Sequence, residues 1–71
     1  MKIEYDPERD LLYIYFKKTD IAVARTETIM PGVHADFDSE GKLLGLEVID
    51  ASEILDRTIE IDLPEKISTL T

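Results

Sequence analysis

The residues with the greatest capacity for chemistry form an acidic stretch in the middle of the chain. Carboxylates occur at residues 36, 38, 40 and 47, and Gly41 lies between them. This spacing matches an EF-hand calcium loop, which needs acidic oxygens at positions 1, 3 and 5, Gly at 6 and Glu at 12. The preceding sequence contradicts that interpretation, because Pro31-Gly32 would interrupt an entering helix and residues 33–37 alternate as a strand. We therefore predict a β-turn here and no calcium site.

His34 is the single imidazole of the chain, and acidic residues surround it. Alternate residues of a strand share a face, so His34 could act as a general base oriented by Asp36 or Asp38. That chemistry would make the protein a small enzyme. No Gly-x-Ser-x-Gly motif, no Cys nucleophile and no second His accompany it. We therefore expect a solvated His34 and predict no catalytic residue, no metal site and no cofactor.

Tyr13 and Tyr15 are the other informative pair, because they alternate within an apolar run at residues 11–16. This run is apolar on both sides: Leu11 and the two tyrosines point one way, and the even-numbered residues point the other way. An antiparallel sheet with one wet face needs only one apolar side, so the second should be covered. The pattern predicts either packing under the C-terminal segment or an interface, where Tyr is enriched.

Alternation with a period of two dominates the chain, and turn residues interrupt it at regular intervals. It predicts a mainly β protein, an antiparallel β-meander of five or six strands with one short helix near residues 51–56. Asp, Pro and Gly supply the turn chemistry between the strands. The predicted strands cover residues 2–6, 11–16, 21–30, 33–37, 43–49 and 58–63.

The residues around the start of the short helix favour helix initiation. Asp50 is expected to cap it, with Glu53 at the third helical position, and Ile49 and Ile54 have the spacing of a hydrophobic staple. We expect a helix of about two turns. In the preceding strand, Gly45 opposes the core-facing residues and predicts either a bulge or a close backbone approach.

The C-terminal segment has a second apolar stripe, and Pro64 ends it. This stripe is predicted to cover the side of the second strand that carries the tyrosines, or to pair with another subunit. Residues 64–71 are expected either to fray or to form a last helical turn. The candidate interface residues are therefore Leu11, Tyr13, Tyr15, Ile59, Ile61 and Leu63.

The length of 71 residues, or 8.1 kDa, predicts a single small domain over residues 1–71. A domain of this size buries little apolar surface, and small domains usually need a disulfide, a metal or association for stability. The chain has no Cys and one His. We therefore expect a homo-oligomer, a dimer or larger.

Sixteen acidic residues against eight basic ones give a net charge of −8. This charge repels phosphate backbones, which predicts that the protein does not bind nucleic acid. It favours solubility or attraction to a small basic protein. The longest apolar run, residues 11–16, is too short to span a bilayer, and acidic residues near the start do not suit a targeting signal. We expect no membrane association and a cytoplasmic location.

Two segments resemble a known family. They are Tyr-Asp-Pro-Glu-Arg-Asp-Leu-Leu-Tyr-Ile at residues 5–14, and residues 31–52, which carry an acidic hairpin and end in Gly-Leu-Glu-Val-Ile-Asp-Ala-Ser. The pattern, which covers most of residues 1–52, is similar to the family catalogued as domain of unknown function 2283. That family has no assigned chemistry, and some members are encoded beside another small protein in arrangements resembling toxin–antitoxin pairs.

The resemblance implies a binding role. The leading hypothesis is a small protein–protein interaction module, in its most specific form the acidic neutralising half of a two-protein pair. The alternatives are a small enzyme that uses His34 with nearby carboxylates and a purely structural homo-oligomer.

Overall fold

The computed structural model describes residues 1–58 and residue 60. These residues form a five-stranded antiparallel sheet followed by one short helix, which confirms the prediction of a mainly β fold. The predicted sixth strand and the segment 64–71 lie outside the described residues, apart from residues 58 and 60, which are not in a strand. The elements are β1 (Lys2–Asp6), β2 (Leu11–Tyr15), β3 (Arg25–Met30), β4 (Val33–Phe37), β5 (Leu43–Ile49) and α1 (Ala51–Ile54).

The strands lie in the order β1-β2-β5-β4-β3, and every neighbouring pair is antiparallel. The sheet therefore combines a hairpin, β1–β2, with a three-stranded meander, β3–β4–β5, whose last strand pairs with β2. This order places β2, β5 and β4 inside the sheet and leaves β1 and β3 at its two edges.

The turn between β4 and β5 occupies the segment with EF-hand spacing. The Asp38 carboxylate accepts hydrogen bonds from the backbone N–H groups of Glu40 and Lys42, at 2.8 and 2.9 Å. Gly41 has φ of +79°, a left-handed conformation that suits glycine. The N–H group of Lys42, followed by that of Glu40, lowers the pKa of Asp38. The predicted hairpin is confirmed.

One face of the sheet, called the core face here, carries the small hydrophobic core. Leu12, Val48 and Ala51 are buried together, and Ile3, Ile14 and Val33 pack against them. Leu12 lies opposite Val48 in the β2–β5 ladder, so β2 and β5 supply the centre of the core. As predicted, β5 turns Leu44 and Val48 inward, while Leu46 is half-buried.

The strand β3 is shorter than predicted, because it begins at Arg25 rather than at residue 21. Its only sheet neighbour among the described residues is β4, which ends at Phe37 opposite Arg25. The β-branched residues before Arg25 therefore have no ladder to join. All six residues of β3 are exposed, and the pairing is irregular between Thr28 and Met30.

The predicted cap of the short helix is wrong. Asp50 occupies the N-cap position with φ of +56°, but its side chain makes no capping hydrogen bond, and α1 is a single turn. Asp10, from the β1–β2 turn, supplies the cap instead. Its carboxylate accepts hydrogen bonds from the backbone N–H of Ser52 at 3.0 Å and from the Ser52 hydroxyl at 2.6 Å.

Two further bonds complete this joint between the first hairpin and the helix. The Tyr5 hydroxyl donates to the Asp10 carboxylate at 2.7 Å, and the Ala51 N–H donates to the Asp10 carbonyl oxygen at 2.9 Å. The hydrogen bonds from Ser52 and Tyr5 lower the pKa of Asp10. The first turn of the chain thus holds α1 against the core face. In the part of the chain that the structure describes, no helix has the length and apolar character needed to cross a membrane.

Candidate functional site

The opposite side of the sheet, called the tyrosine face here, brings together most of the residues whose side chains could take part in binding or catalysis. Each strand contributes one residue to each of two rows that run across the sheet. Both tyrosines of β2 and the imidazole of β4 lie on this face. The first row is Glu4, Tyr13, Glu47, His34 and Thr28, and the second is Lys2, Tyr15, Gly45, Asp36 and Thr26.

Tyr13 and Asp36 form the central contact of the tyrosine face. The Tyr13 hydroxyl donates a hydrogen bond to one oxygen of the Asp36 carboxylate, and the Thr26 hydroxyl donates to the other at 2.6 Å. Burial and the bond to Asp36 raise the pKa of the Tyr13 phenol well above its usual value. The phenol therefore remains protonated and acts as the donor in its bond to Asp36.

Gly45 makes this contact possible, because the Tyr13 ring passes over it to reach the second row. A Cβ atom at Gly45 would lie 2.7 Å from Cε1 of Tyr13 and 2.5 Å from the carbonyl oxygen of Ile14. Real Cβ contacts are not this short, so only glycine fits between the ring and the backbone of β2. The close backbone approach predicted at this glycine is confirmed.

Tyr15 extends the aromatic surface of this face, and Lys2 places a positive charge near its ring. Its ring centroid lies 4.4 Å from that of Tyr13, with the planes tilted by 45°. A hydrogen bond to the Glu4 carboxylate raises the pKa of Tyr15. The Lys2 ammonium lies 5.8 Å from the centre of the Tyr15 ring and 3.6 Å from Glu4 Oε1. A cation thus rests between an aromatic ring and a carboxylate.

His34 lies on the same face, but its hydrogen-bond partner is a hydroxyl and not the carboxylate that would orient a general base. Its Nδ1 lies 3.0 Å from the Thr28 hydroxyl, and its ring is half-buried. Both oxygens of Asp36 accept hydrogen bonds from the hydroxyls of Tyr13 and Thr26. His34 and Asp36 therefore have separate hydrogen-bond partners, although they share a face as the sequence predicted. Within residues 1–58 and 60, no three potential ligands lie close enough to hold a metal ion.

The candidate interface residues divide between the described and the undescribed parts of the chain. Leu11 is half-buried at one end of the tyrosine face, opposite Ile49. Tyr13 and Tyr15 lie at its centre. Ile59, Ile61 and Leu63 lie outside the described residues, so their role as a cover stays a prediction.

Sequence reasoning missed Asp36 as the partner of Tyr13. The available signal was the glycine in β5, which allows an aromatic side chain of a neighbouring strand to cross it. Identifying that side chain requires the pairing of β2 with β5 and of β5 with β4, because those two ladders place Gly45 between Tyr15 and Asp36.

The tyrosine face has the chemistry of a cation-binding surface. Aromatic faces attract ammonium and guanidinium groups, and carboxylates bind the same groups by charge-assisted hydrogen bonds. Glu4, Asp36 and Glu47 surround two tyrosine rings. The described side chains on this face include one imidazole and one lysine, so its charge is predominantly negative.

A family model described as "Protein of unknown function (DUF2283)" matches residues 2–52, which is more than half of the chain. The matched range runs from the start of β1 to Ser52 in α1. It therefore includes the whole tyrosine face and both partners of the Asp10–Ser52 joint. No curated protein and no solved structure matches the chain.

Proposed function

We propose that this chain, which belongs to the DUF2283 family of proteins of unknown function, is an acidic interaction module that binds a basic segment of another protein on its tyrosine face. The position of Lys2 carries the proposal. Its ammonium lies over the Tyr15 ring and beside the Glu4 carboxylate, which is the environment that a lysine or arginine of a partner would need.

Charge favours the same kind of partner at longer range. The chain carries a net charge of −8, and such a charge accelerates encounter with a basic surface at low salt. Attraction of this type falls as ionic strength rises, because salt screens exposed charges. The basic partner would therefore be bound more weakly at high salt.

The rings and the carboxylates have different roles in this proposal. A guanidinium stacked on Tyr13 or Tyr15 gains about 0.5–1 kcal/mol at an exposed site, and up to about 2 kcal/mol when desolvated. Glu47 lies beside Tyr13 in the cross-strand row and can accept hydrogen bonds from the same group. The rings supply contact area, and the carboxylates select a positive charge.

In its most specific form, the proposal makes this chain the acidic, neutralising half of a two-protein pair. Its charge and its resemblance to proteins encoded beside another small protein support this form. If the gene next to this one encodes a small basic protein, that product is the natural partner to co-express and co-purify. A stable 1:1 or 2:2 complex that salt weakens is the expected result, and two independently migrating proteins would count against the pairing.

The experiment that tests the binding surface is a calorimetric titration with hexa-arginine as the probe. Glu47→Gln removes a charge from the tyrosine face, and Glu40→Gln removes the same charge from the β4–β5 turn. We expect Glu47→Gln to weaken binding by up to about five-fold, the upper end of the range for exposed ion pairs, and Glu40→Gln to change it little. Equal effects of the two variants would mean that only net charge attracts the peptide, and the proposal would fail.

A further inference from the structure

We propose that two copies of this chain form a symmetric dimer by antiparallel pairing of their β3 strands, which joins the two sheets into one. β3 is an edge strand, and in the described part of the chain it pairs only with β4. Every one of its residues is exposed. Such an edge presents backbone N–H and C=O groups that another strand can satisfy.

Three large apolar residues in or beside β3 are exposed. Val23, Ile29 and Met30 have exposed fractions of 51%, 62% and 49%. Monomeric proteins usually protect an edge strand with charges, proline or a covering segment, because exposed apolar edges associate. The apolar residues at this edge therefore favour a partner strand.

The charges of β3 make a second copy the matching partner. Arg25 and Glu27 lie on the same side of the strand, with Nη2 and Oε2 3.6 Å apart, and the Arg25 guanidinium lies 4.5 Å from the centre of the Phe37 ring. In a two-fold antiparallel pairing that places residue 26 opposite itself, each Arg25 lies opposite the Glu27 of the second copy. Opposite charges at directly facing positions stabilise a ladder.

The other residues agree with this register. Thr26 faces its own counterpart on the tyrosine face, and facing threonines are a favourable cross-strand pair. Val23 and Ile29 lie toward opposite ends of the paired segment, so this register brings the exposed Val23 of one copy near the exposed Ile29 of the other at both ends. The two-fold axis is perpendicular to the sheet, so both tyrosine faces lie on the same side of the dimer.

The opposite edge, β1, is a less suitable site. Lys2 and Glu4 have the same spacing as Arg25 and Glu27, but both contact Tyr15 on their own sheet. Two of the five residues of β1, Ile3 and Asp6, are half-buried, and the strand leads into the turn that holds α1. Pairing through β1 is the main competing result of the test.

The absence of Cys from the sequence allows a direct test of this register by cross-linking. Thr26→Cys should form a disulfide-linked dimer on mild oxidation, because facing strand residues have Cβ atoms about 4.5–5.5 Å apart. Thr28→Cys, which faces residue 24, and Ile3→Cys, which reports on β1, should remain monomeric on a non-reducing gel. Cross-linking of Ile3→Cys, or equal cross-linking of all three variants, would overturn the proposal.

A charge exchange tests the interface without cysteine. Arg25→Glu places like charges opposite each other and should convert the dimer into a monomer in size exclusion with light scattering. The double variant Arg25→Glu/Glu27→Arg restores opposite charges and should recover the dimer. A monomeric wild-type protein at about 100 µM, or a dimer that is unchanged by Arg25→Glu, would refute the pairing. If Arg25→Glu proves unfolded by circular dichroism, the cysteine comparison decides the question.

Discussion

The two faces of the sheet are built from the same strands but are stabilised in different ways. On the core face, Leu12 and Val48 are 5% exposed and depend on close packing. On the tyrosine face, the neighbouring Tyr13 remains half-buried, and its hydroxyl binds Asp36. Among the described residues, the second apolar side of β2 is stabilised in part by polar contacts, because a tyrosine hydroxyl can bind a partner from an adjacent strand while its ring buries apolar area.

Truncation of a side chain on the core face should destabilise the protein most. Leu12→Ala removes a buried side chain from the centre of the core and should lower the free energy of unfolding by about 2–5 kcal/mol. Urea denaturation measures this loss, and Tyr15→Phe on the opposite face should cost clearly less. Equal losses in the two variants would mean that the tyrosine face is as important for folding as the core.

The next effect tests the close approach that positions Tyr13. Gly45→Ala introduces a Cβ atom between the ring and the backbone of β2, and overpacking of this kind costs about 1–3 kcal/mol. It should also move Tyr13 away from Asp36, so the raised pKa of Tyr13 should fall toward that of an ordinary tyrosine. Spectrophotometric titration of the phenols measures this change.

Gly41→Ala is the control for that substitution. Nothing lies within 4 Å of a Cβ atom at Gly41, although its φ of +79° makes the variant strained. It should therefore leave the titration of Tyr13 unchanged. A normal Tyr13 pKa in the wild-type protein, or an unchanged one in Gly45→Ala, would contradict the described contact.

The joint that holds α1 on the core face should make the stability of the protein depend on pH. Asp10 has a folded-state pKa below its unfolded value, so the stability it contributes is present above the unfolded pKa and is lost as pH falls through the folded pKa. Asp10→Asn should be less stable than the wild type at pH 7, and the gap should narrow as the pH falls below about 4. Thermal unfolding across this range provides the comparison.

Asp50→Asn is the matched control, because both aspartates have positive φ, which asparagine tolerates. Asp50 makes no capping bond, so this variant should be about as stable as the wild type at pH 7. If Asp10→Asn and Asp50→Asn had the same stability, Asp10 would not stabilise the protein by holding α1.

The smallest expected effect is at the imidazole. His34→Ala should change the free energy of unfolding by no more than about 0.5 kcal/mol, the usual range for a substitution away from the core. The Thr28 hydroxyl that it contacts is exposed and can bind water instead. A loss above about 1 kcal/mol would place His34 among the stabilising residues of the tyrosine face.

Local features of the fold could be predicted from the sequence, whereas contacts between distant segments could not. The bounds of β4 and β5 match the prediction because alternation and turn residues are local signals. The strand order is not local, since β2 and β5 pair across 27 intervening residues (16–42) that include the β3–β4 hairpin.

The same limit explains the errors at the helix and at the tyrosine face. Asp50 was the nearest residue able to cap α1, but the cap comes from Asp10, 42 residues before Ser52. The hydrogen bond from Tyr13 to Asp36 also spans 23 residues. Periodicity predicted that Tyr13 and Asp36 lie in strands, but only the pairing of those strands shows that the two residues meet.

In the proposed function the tyrosine face, rather than the core face, binds a basic segment, and the three tyrosines distinguish the two faces. Tyr13 and Tyr15 lie on the tyrosine face, whereas Tyr5 lies opposite Leu12 and binds Asp10. Their ring signals in a ¹H–¹³C NMR spectrum can be followed during titration with hexa-arginine. We predict saturable shifts of Tyr13 and Tyr15 with Tyr5 unchanged; shifts of Tyr5 alone, equal shifts of all three, or none would contradict the claim.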